Sequence, residues 1–299
     1  MKKSFQIISL LSFLLLFSCG DSDGGDDTNP TGGITNGSGK FEYNRYTPLK
    51  DKPVNVYYAI SQGDMSTMPV IFVFPGTNRD ADNYIRPWMD IVKTHRCMVF
   101  SIEFPEKYYS GDEYITGNVI DNSGRFVDRE KWTFSIIEPL FEYIKAETGN
   151  KSIRYSLFGH SAGSQFVHRY VLFNPNAKID KAVAANAGWY TMPLFNVDFP
   201  YGLKNTQLSR TDVASACKVD MTVHLGESDN NPNDPSLRKT PEAMLQGEHR
   251  YARGLYFYNN SKTMATSSSF QFNWTMRKVP NVAHDQAAMA KDAVHIFFD

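Results

Sequence analysis

The sequence predicts an α/β fold in which one mostly parallel sheet is covered by helices on both faces. Near-continuous apolar runs recur along the chain, and such runs are typical of strands that are buried on both faces of a parallel sheet. Segments of helical periodicity separate several of these runs, and turns that contain Gly, Pro, Asn or Asp follow them. Strands that alternate with helices in this way favour a single parallel sheet.

The predicted elements follow one another from residue 54 to the end of the chain. The apolar runs that we expect to be strands are 54–60, 68–74, 97–104, 154–158, 179–187, 218–225 and 270–279. The segments that we expect to be helices are 136–149, which ends in a glycine C-cap, and 164–171, 241–258 and 286–298. Residues 105–128 are polar and aromatic, and we expect them to form a long ordered loop over the carboxyl ends of the strands.

Residues 1–40 are predicted to lie outside the folded domain, which would occupy residues 41–299. Residues 1–18 combine two lysines with an apolar run that is too short for a membrane span, which is typical of a signal peptide. Residues 19–40 contain almost no apolar side chains, so we expect a disordered tether.

The end of the apolar run, Leu16-Phe17-Ser18-Cys19-Gly20, resembles a bacterial lipoprotein signal. The resemblance implies that Cys19 carries lipid and becomes the mature N-terminus, and an ordinary secretory signal is the alternative. The acidic residues that follow resemble a surface-export signal of some Gram-negative lineages. We therefore expect a cell-envelope protein, on the outer membrane or cell surface, with this anchor as its sole membrane contact.

Composition narrows the range of functions. The 299 residues are 41% hydrophobic, which suffices for a sizeable core, and the formal net charge of −1 offers no basis for binding nucleic acid. Cys97 and Cys217 are expected to be buried free thiols, and no Cys/His spacing indicates a zinc site. No metal or cofactor is expected.

The strongest chemical signal is Gly159-His160-Ser161-Ala162-Gly163, which joins a predicted strand to a predicted helix. A serine on such a sharp turn projects its hydroxyl from the edge of the sheet, and small neighbours allow the strand and helix to approach. We predict that Ser161 is a nucleophile and that the N–H of Ala162 stabilises an oxyanion.

A second oxyanion donor is predicted at the end of an earlier strand. Residues 68–74 run into Pro75-Gly76-Thr77, and function collects at the carboxyl ends of parallel strands. We expect the Thr77 N–H to be this donor, although a plain Pro-Gly turn is the alternative.

A serine nucleophile needs a base, and the base needs a group that fixes its tautomer. Of the seven histidines, His284 is the one on a loop just after a late strand, so we predict that it is the base. Asp229 closes the turn after the 218–225 strand and is the predicted acid, with Glu227 and Asp234 as competitors.

The order Ser161, Asp229, His284 is that of the α/β-hydrolases, and residues 41–299 resemble that superfamily. Four stretches are similar to the secreted esterase and poly-hydroxyalkanoate depolymerase-like branch. They are the residues from Phe74 to Tyr84, Gly159-His160-Ser161-Ala162-Gly163, Gly226-Glu227-Ser228-Asp229 and the residues from Val279 to Asp285. The resemblance implies about eight strands and ester hydrolysis through an acyl-enzyme. One departure is that Pro75-Gly76 stands where the family usually has His-Gly.

Trp189 and Tyr190 follow the 179–187 strand and are predicted to line the pocket for a small or polymeric ester, with packing under a lid as the alternative. Two other functions remain open. One is a serine peptidase of the same fold, and the other is an inactive surface lipoprotein that binds a glycan or a partner. The sequence identifies neither the acyl group nor the alcohol.

Overall fold

The computed structural model describes residues 33–299, and these residues form one eight-stranded sheet with helices on both faces. The strands are β1 (Gly37–Tyr43), β2 (Val54–Ile60), β3 (Val70–Phe74), β4 (Met98–Glu103), β5 (Tyr155–His160), β6 (Ile179–Ala185), β7 (Asp220–Gly226) and β8 (Thr275–Val279). Their order across the sheet is β1-β2-β4-β3-β5-β6-β7-β8. β2 pairs antiparallel with both β1 and β4, and every other pair is parallel.

Eight α-helices accompany the strands in the described residues. They are α1 (Ala81–Thr94), α2 (Gly111–Thr116), α3 (Ile137–Thr148), α4 (Ala162–Phe173), α5 (Arg210–Cys217), α6 (Pro241–Gln246), α7 (Arg250–Ser267) and α8 (Gln286–Phe297). Short 3-10 turns cover Thr47–Leu49, Met65–Thr67, Arg129–Lys131 and Thr133–Ile136. None of the helices in this range is both long and apolar enough to cross a membrane.

The two faces of the sheet carry separate hydrophobic layers. On one face, α1 and α8 bury Trp88 and Met289 against side chains such as Val73 and Phe158. The other face is covered by α3, α4, α5 and α7, whose apolar side chains form the larger cluster. Both faces of the central strands are therefore shielded from solvent, which explains why those strands are rich in apolar residues. The predicted fold class is confirmed.

The folded part begins earlier than the predicted boundary at residue 41. β1 starts at Gly37 and pairs along its whole length with β2, and Ile34 is buried before it. The four polar or small residues at the start of β1 concealed this edge strand, because edge strands need few apolar side chains. The predicted signal peptide and Cys19 lie outside the described residues.

Two expectations for helices and loops were wrong. The helix expected over 241–258 is two helices, because Gly247 adopts a φ of 145° between α6 and α7 and His249 then caps α7 by accepting from the Ala252 N–H. Residues 105–128 are more than a loop, since they contain α2. Ser110 and Glu113 form a capping box at its start.

Asn186 ties together the carboxyl ends of two strands and the segment before α8. It is 1% exposed and its φ is 50°. Its N–H donates to the carbonyl of His224 at 3.0 Å, its Oδ1 accepts from the Gly226 N–H at 2.8 Å, and its Nδ2 donates to the Ala283 carbonyl at 3.2 Å. The residue therefore fixes the Ala283 segment relative to the end of β7.

We expect Asn186→Gly to lower the free energy of unfolding by roughly 1–3 kcal/mol, since the buried Gly226 N–H loses its acceptor. Asn186→Ala should cost about 1 kcal/mol more, because alanine disfavours the left-handed backbone. Urea unfolding measures both changes.

The control is Asn205, which is exposed and has a similar φ of 62°. Asn205→Gly should change the free energy of unfolding by less than about 0.5 kcal/mol. Equal stability of the Asn186→Gly and Asn205→Gly variants would contradict a role for the Asn186 side chain.

Candidate active site

Ser161 lies on the turn between β5 and α4, with φ 58° and ψ −117°. This conformation is rare for a residue with a side chain and is held by its surroundings. The Ser161 N–H donates to the Ala185 carbonyl of β6 at 3.0 Å, and Gly163 approaches β3 so closely that a Cβ there would overlap the Phe74 carbonyl oxygen. The strand-turn-helix context predicted for Ser161 is therefore present.

Thr77 follows β3 and lines one cavity with Ser161. Within residues 33–299, neither the Thr77 N–H nor the Ala162 N–H donates a hydrogen bond to a protein acceptor. Two backbone donors are thus free beside the serine, as an oxyanion hole requires. Their role in catalysis stays a prediction.

The Thr77 loop is braced by side chains to which the sequence alone assigns no role. Tyr114 of α2 donates to the Pro75 carbonyl at 2.7 Å. Arg79 is buried and donates through Nη1 to the carbonyls of Phe104 and Tyr109. The one sign of this support in the sequence is Pro75, because a proline in place of the usual histidine means that other residues must hydrogen-bond to the loop. Residues 105–128 therefore support the loop, and none of them lines the cavity at Ser161.

Asp229 and His284 are hydrogen-bond partners, and their roles as acid and base stay predictions. His284 Nδ1 lies 2.6 Å from Asp229 Oδ2, and the aspartate is 5% exposed. Arg250 of α7 holds the other oxygen, with Nη1 at 3.3 Å from Asp229 Oδ1. Arg250 was not predicted. Nothing in the sequence marks it, because it approaches from the start of a helix about twenty residues later.

The two competing carboxylates have other partners. Asp234 Oδ2 lies 2.9 Å from Arg250 Nη1, and the bonds from Arg250 and Ser236 hold the pKa of Asp234 well below its usual range. Glu227 Oε1 accepts from the hydroxyl of Tyr251 at 3.4 Å. Among the described residues, neither carboxylate contacts His284.

His160 lies between α1 and the predicted base. Its Nδ1 is 3.0 Å from the Tyr84 hydroxyl, and its ring centroid is 4.5 Å from that of His284. Burial, with the nearby charge of His284, holds the pKa of His160 well below its usual value. His160 therefore stays neutral, and its ring packs against that of His284.

A second histidine–aspartate pair lies elsewhere. His224 of β7 is 2.7 Å from Asp292 of α8, which also binds Arg277. Although burial acts to raise the pKa of Asp292, the bonds from Arg277 and His224 hold it well below its usual value. This cluster fastens α8 to the sheet and is not part of the site at Ser161.

Trp189 lines the cavity at Ser161, whereas Tyr190 does not. Tyr190 is fully buried and stacks on Phe257 of α7 with ring centroids 4.4 Å apart. Gln246 fixes its backbone through bonds of 2.8 Å and 2.7 Å. The prediction for Tyr190 is wrong because its side chain turns into the core, and that for Trp189 stays a prediction.

The Ser161 hydroxyl makes no hydrogen bond with His284 in the part of the chain that the structure describes. Such bonds are often long without substrate and shorten in the complex. Between residues 33 and 299, no group of three or more His, Cys, Asp or Glu side chains is placed to hold a metal ion.

Two solved structures share both fold and sequence with this chain. Poly(aspartic acid) hydrolase-1 from Sphingomonas sp. KT-1 is 35% identical with a TM-score of 0.86, over 89% of this chain and 100% of that one. LpqC, a poly(3-hydroxybutyrate) depolymerase from Bordetella parapertussis, is 30% identical with a TM-score of 0.84, over 89% of this chain and 90% of that one.

An IroE-like serine hydrolase from Shewanella oneidensis is 13% identical with a TM-score of 0.57, over 87% of this chain and 80% of that one, and this likeness concerns the fold alone. No family model and no curated protein matches the chain. The likeness to the first two structures covers nearly the whole described range and includes sequence as well as topology. The chain is a hydrolase that belongs to the α/β-hydrolase superfamily, in the esterase branch with these polymer hydrolases.

Proposed function

We propose that this protein hydrolyses carboxylic esters through an acyl-enzyme on Ser161, with His284 as base and Asp229 as the acid that orients it. The supporting observation is the 2.6 Å hydrogen bond between His284 Nδ1 and Asp229 Oδ2 beside a strained elbow serine. The carboxylate fixes the proton on Nδ1, which leaves a lone pair on Nε2 for the serine proton.

The reaction proceeds in two halves. Ser161 Oγ attacks the ester carbonyl while His284 Nε2 takes its proton, and Nε2 then gives that proton to the departing alcohol oxygen as the ester bond breaks. Water loses a proton to Nε2 and attacks the acyl carbon, after which Ser161 leaves and regains the proton. The Thr77 and Ala162 amides stabilise the oxyanion in both halves.

Neutral His160 makes this proton transfer easier. When His284 becomes an imidazolium, a second charged imidazole 4.5 Å away would repel it. The depressed pKa of His160 prevents that repulsion at neutral pH.

Amide hydrolysis is a second candidate. It is favoured by the 35% identity to a protein described as a poly(aspartic acid) hydrolase, since that polymer is linked by amide bonds. Ester hydrolysis is favoured by the 30% identity to a poly(3-hydroxybutyrate) depolymerase. The same three residues would serve both reactions, so the preference for an ester or an amide bond depends on the cavity.

We also propose that Cys19 carries lipid and anchors the domain to the cell envelope, which would bring the site to polymers outside the cell. The support for this proposal is the Leu16-Phe17-Ser18-Cys19-Gly20 sequence.

Ser161→Ala should abolish labelling of the full chain by a fluorophosphonate probe and lower kcat on simple esters by at least about 10⁴-fold, because the nucleophile is lost. Gel fluorescence and initial rates measure the two effects. Ser164→Ala, in the first turn of α4, is the control and should label like the wild type. Equal labelling of the wild type and Ser161→Ala would assign the reactive group to another residue, and no labelling of either protein would leave an inactive binding protein as the better account.

Asp229→Asn should lower kcat by about 10³- to 10⁴-fold, because the amide favours the wrong tautomer of His284. Glu227→Gln is the matched control and should retain activity within about 3-fold, since Glu227 does not contact His284. Steady-state rates on one ester compare the two variants. A larger loss in Glu227→Gln would assign the acid to that residue instead.

Cys19→Ser should move the protein from the membrane fraction to the soluble fraction of the expressing cell, because the serine hydroxyl that replaces the thiol cannot receive the lipid. Fractionation followed by immunoblotting measures the change, and Cys97→Ser is the control. Retention of the Cys19→Ser variant on membranes would contradict a lipid anchor.

A further inference from the structure

The cavity beside Ser161 has a volume of about 320 Å³, and its charged lining residues are both arginines, Arg238 and Arg250. Its other lining side chains include Gln165, Trp189 and Leu237. A pocket for a wholly neutral ester has no need of two guanidinium groups. Whether each guanidinium already has a carboxylate partner in the protein therefore indicates what charge the substrate carries.

The positive charge of Arg250 is already balanced by carboxylates of the protein. It contacts Asp229 at 3.3 Å and Asp234 at 2.9 Å, and its Nη2 donates to the Ser236 hydroxyl at 2.6 Å. With two carboxylates at one nitrogen, this arginine is a support for the acid rather than a ligand for substrate.

Arg238 has no such partner. Within residues 33–299 its guanidinium makes no ion pair and donates no hydrogen bond to the protein. It lies over the rings of Trp189 at 4.7 Å and Tyr201 at 5.6 Å, and its own carbonyl accepts from Arg253 Nη2 at 2.8 Å. The aromatic faces and this bond hold the cation in place while its N–H donors stay free.

Two further guanidinium groups behind the cavity lack a carboxylate partner in the described range. Arg169 is fully buried against Trp189 at 4.0 Å, and its Nη2 is unpaired. Arg253 is also buried and donates only to neutral acceptors, which include the Gly188 carbonyl. Burial and the charge of Arg238 lower the pKa of Arg169, yet a guanidinium remains protonated at neutral pH.

We propose that the cavity binds a carboxylate of the substrate through Arg238, next to the ester or amide bond that Ser161 attacks. This inference rests on the proposed function of Ser161. A guanidinium presents paired donors that match the two oxygens of a carboxylate, and the positive field of the surrounding arginines favours an anion. The substrate is then an acid ester or acid amide rather than a neutral one.

The test compares two esters of nearly the same shape, monomethyl glutarate and dimethyl glutarate, on the full chain in detergent. We expect the wild type to prefer the anionic monoester in kcat/KM by at least about 10-fold. Arg238→Gln should remove this preference, because kcat/KM falls further for the anionic monoester than for the neutral diester, while Arg238→Lys should keep part of the preference because a point charge remains.

The control is Arg210→Gln, since Arg210 lies over the ring of Phe270 at 5.4 Å and does not line the cavity. It should leave the preference for the monoester unchanged. A wild type without the preference, or an Arg238→Gln variant that retains it, would overturn the proposal.

A second measurement decides the matter if neither ester is hydrolysed. Glutarate should slow the labelling of Ser161 by a neutral fluorophosphonate in the wild type but not in Arg238→Gln, and equal labelling rates would overturn the carboxylate site. Labelling that is normal without glutarate shows that the variant is folded. Stronger protection by an aspartate oligomer than by glutarate would identify a repeating polymer as the source of the carboxylate.

Failure of the carboxylate site and failure of the proposed function are distinguishable. If Ser161 labels and the neutral diester is cleaved without any anion preference, the hydrolase proposal stands and the Arg238 site falls. If Ser161 never labels and Ser161→Ala cleaves esters as the wild type does, both the nucleophile proposal and the Arg238 site are overturned.

Discussion

Gly163 brings the first turn of α4 against the end of β3, and the geometry of the site depends on that contact. A Cβ at this position would lie 2.8 Å from the Pro75 carbonyl oxygen and would overlap that of Phe74. The contact sets the distance between the elbow that carries Ser161 and the loop that carries Thr77. The Thr77 and Ala162 N–H groups, neither of which has a protein acceptor within residues 33–299, lie on these two closely spaced backbones. A larger residue would separate them before it affected any side chain that reacts.

A backbone contact of this kind needs support on the loop side, and the chain supplies it from the segment before α3. Tyr114 and Arg79 tie the loop to that segment, and Tyr84 connects it to the elbow by lying against Gly76 while its hydroxyl meets His160. Pro75 itself has no N–H, so its carbonyl is the one polar group that it offers the loop. The Tyr114 hydroxyl uses that carbonyl. These bonds support the Pro75-Gly76 loop, which keeps the Thr77 N–H without a protein acceptor within residues 33–299.

The sequence could predict the elbow and the strand-end loops because each has a local signature. Ser161, Asp229 and His284 follow the ends of predicted strands, and parallel strands bring such ends together. The supporting residues could not be predicted in this way. Arg250 reaches Asp229 from a helix whose start depends on the break at Gly247, and a single-residue φ is not visible in hydrophobic periodicity. For the same reason the side-chain direction after β6, which separates Trp189 from Tyr190, escaped prediction.

The arginines on the two sides of the site differ in whether a carboxylate of the protein balances their charge. On the side of His284, the positive charge of Arg250 is balanced by Asp229 and Asp234, and burial holds the pKa of His160 well below its usual value. On the side of the cavity, Arg238 has no carboxylate partner among residues 33–299. An anionic substrate would balance that charge on binding and would leave it unbalanced after release. In the proposed site, the charge of Arg250 is therefore balanced within the protein, and the guanidinium of Arg238 is the one that an anionic substrate would meet.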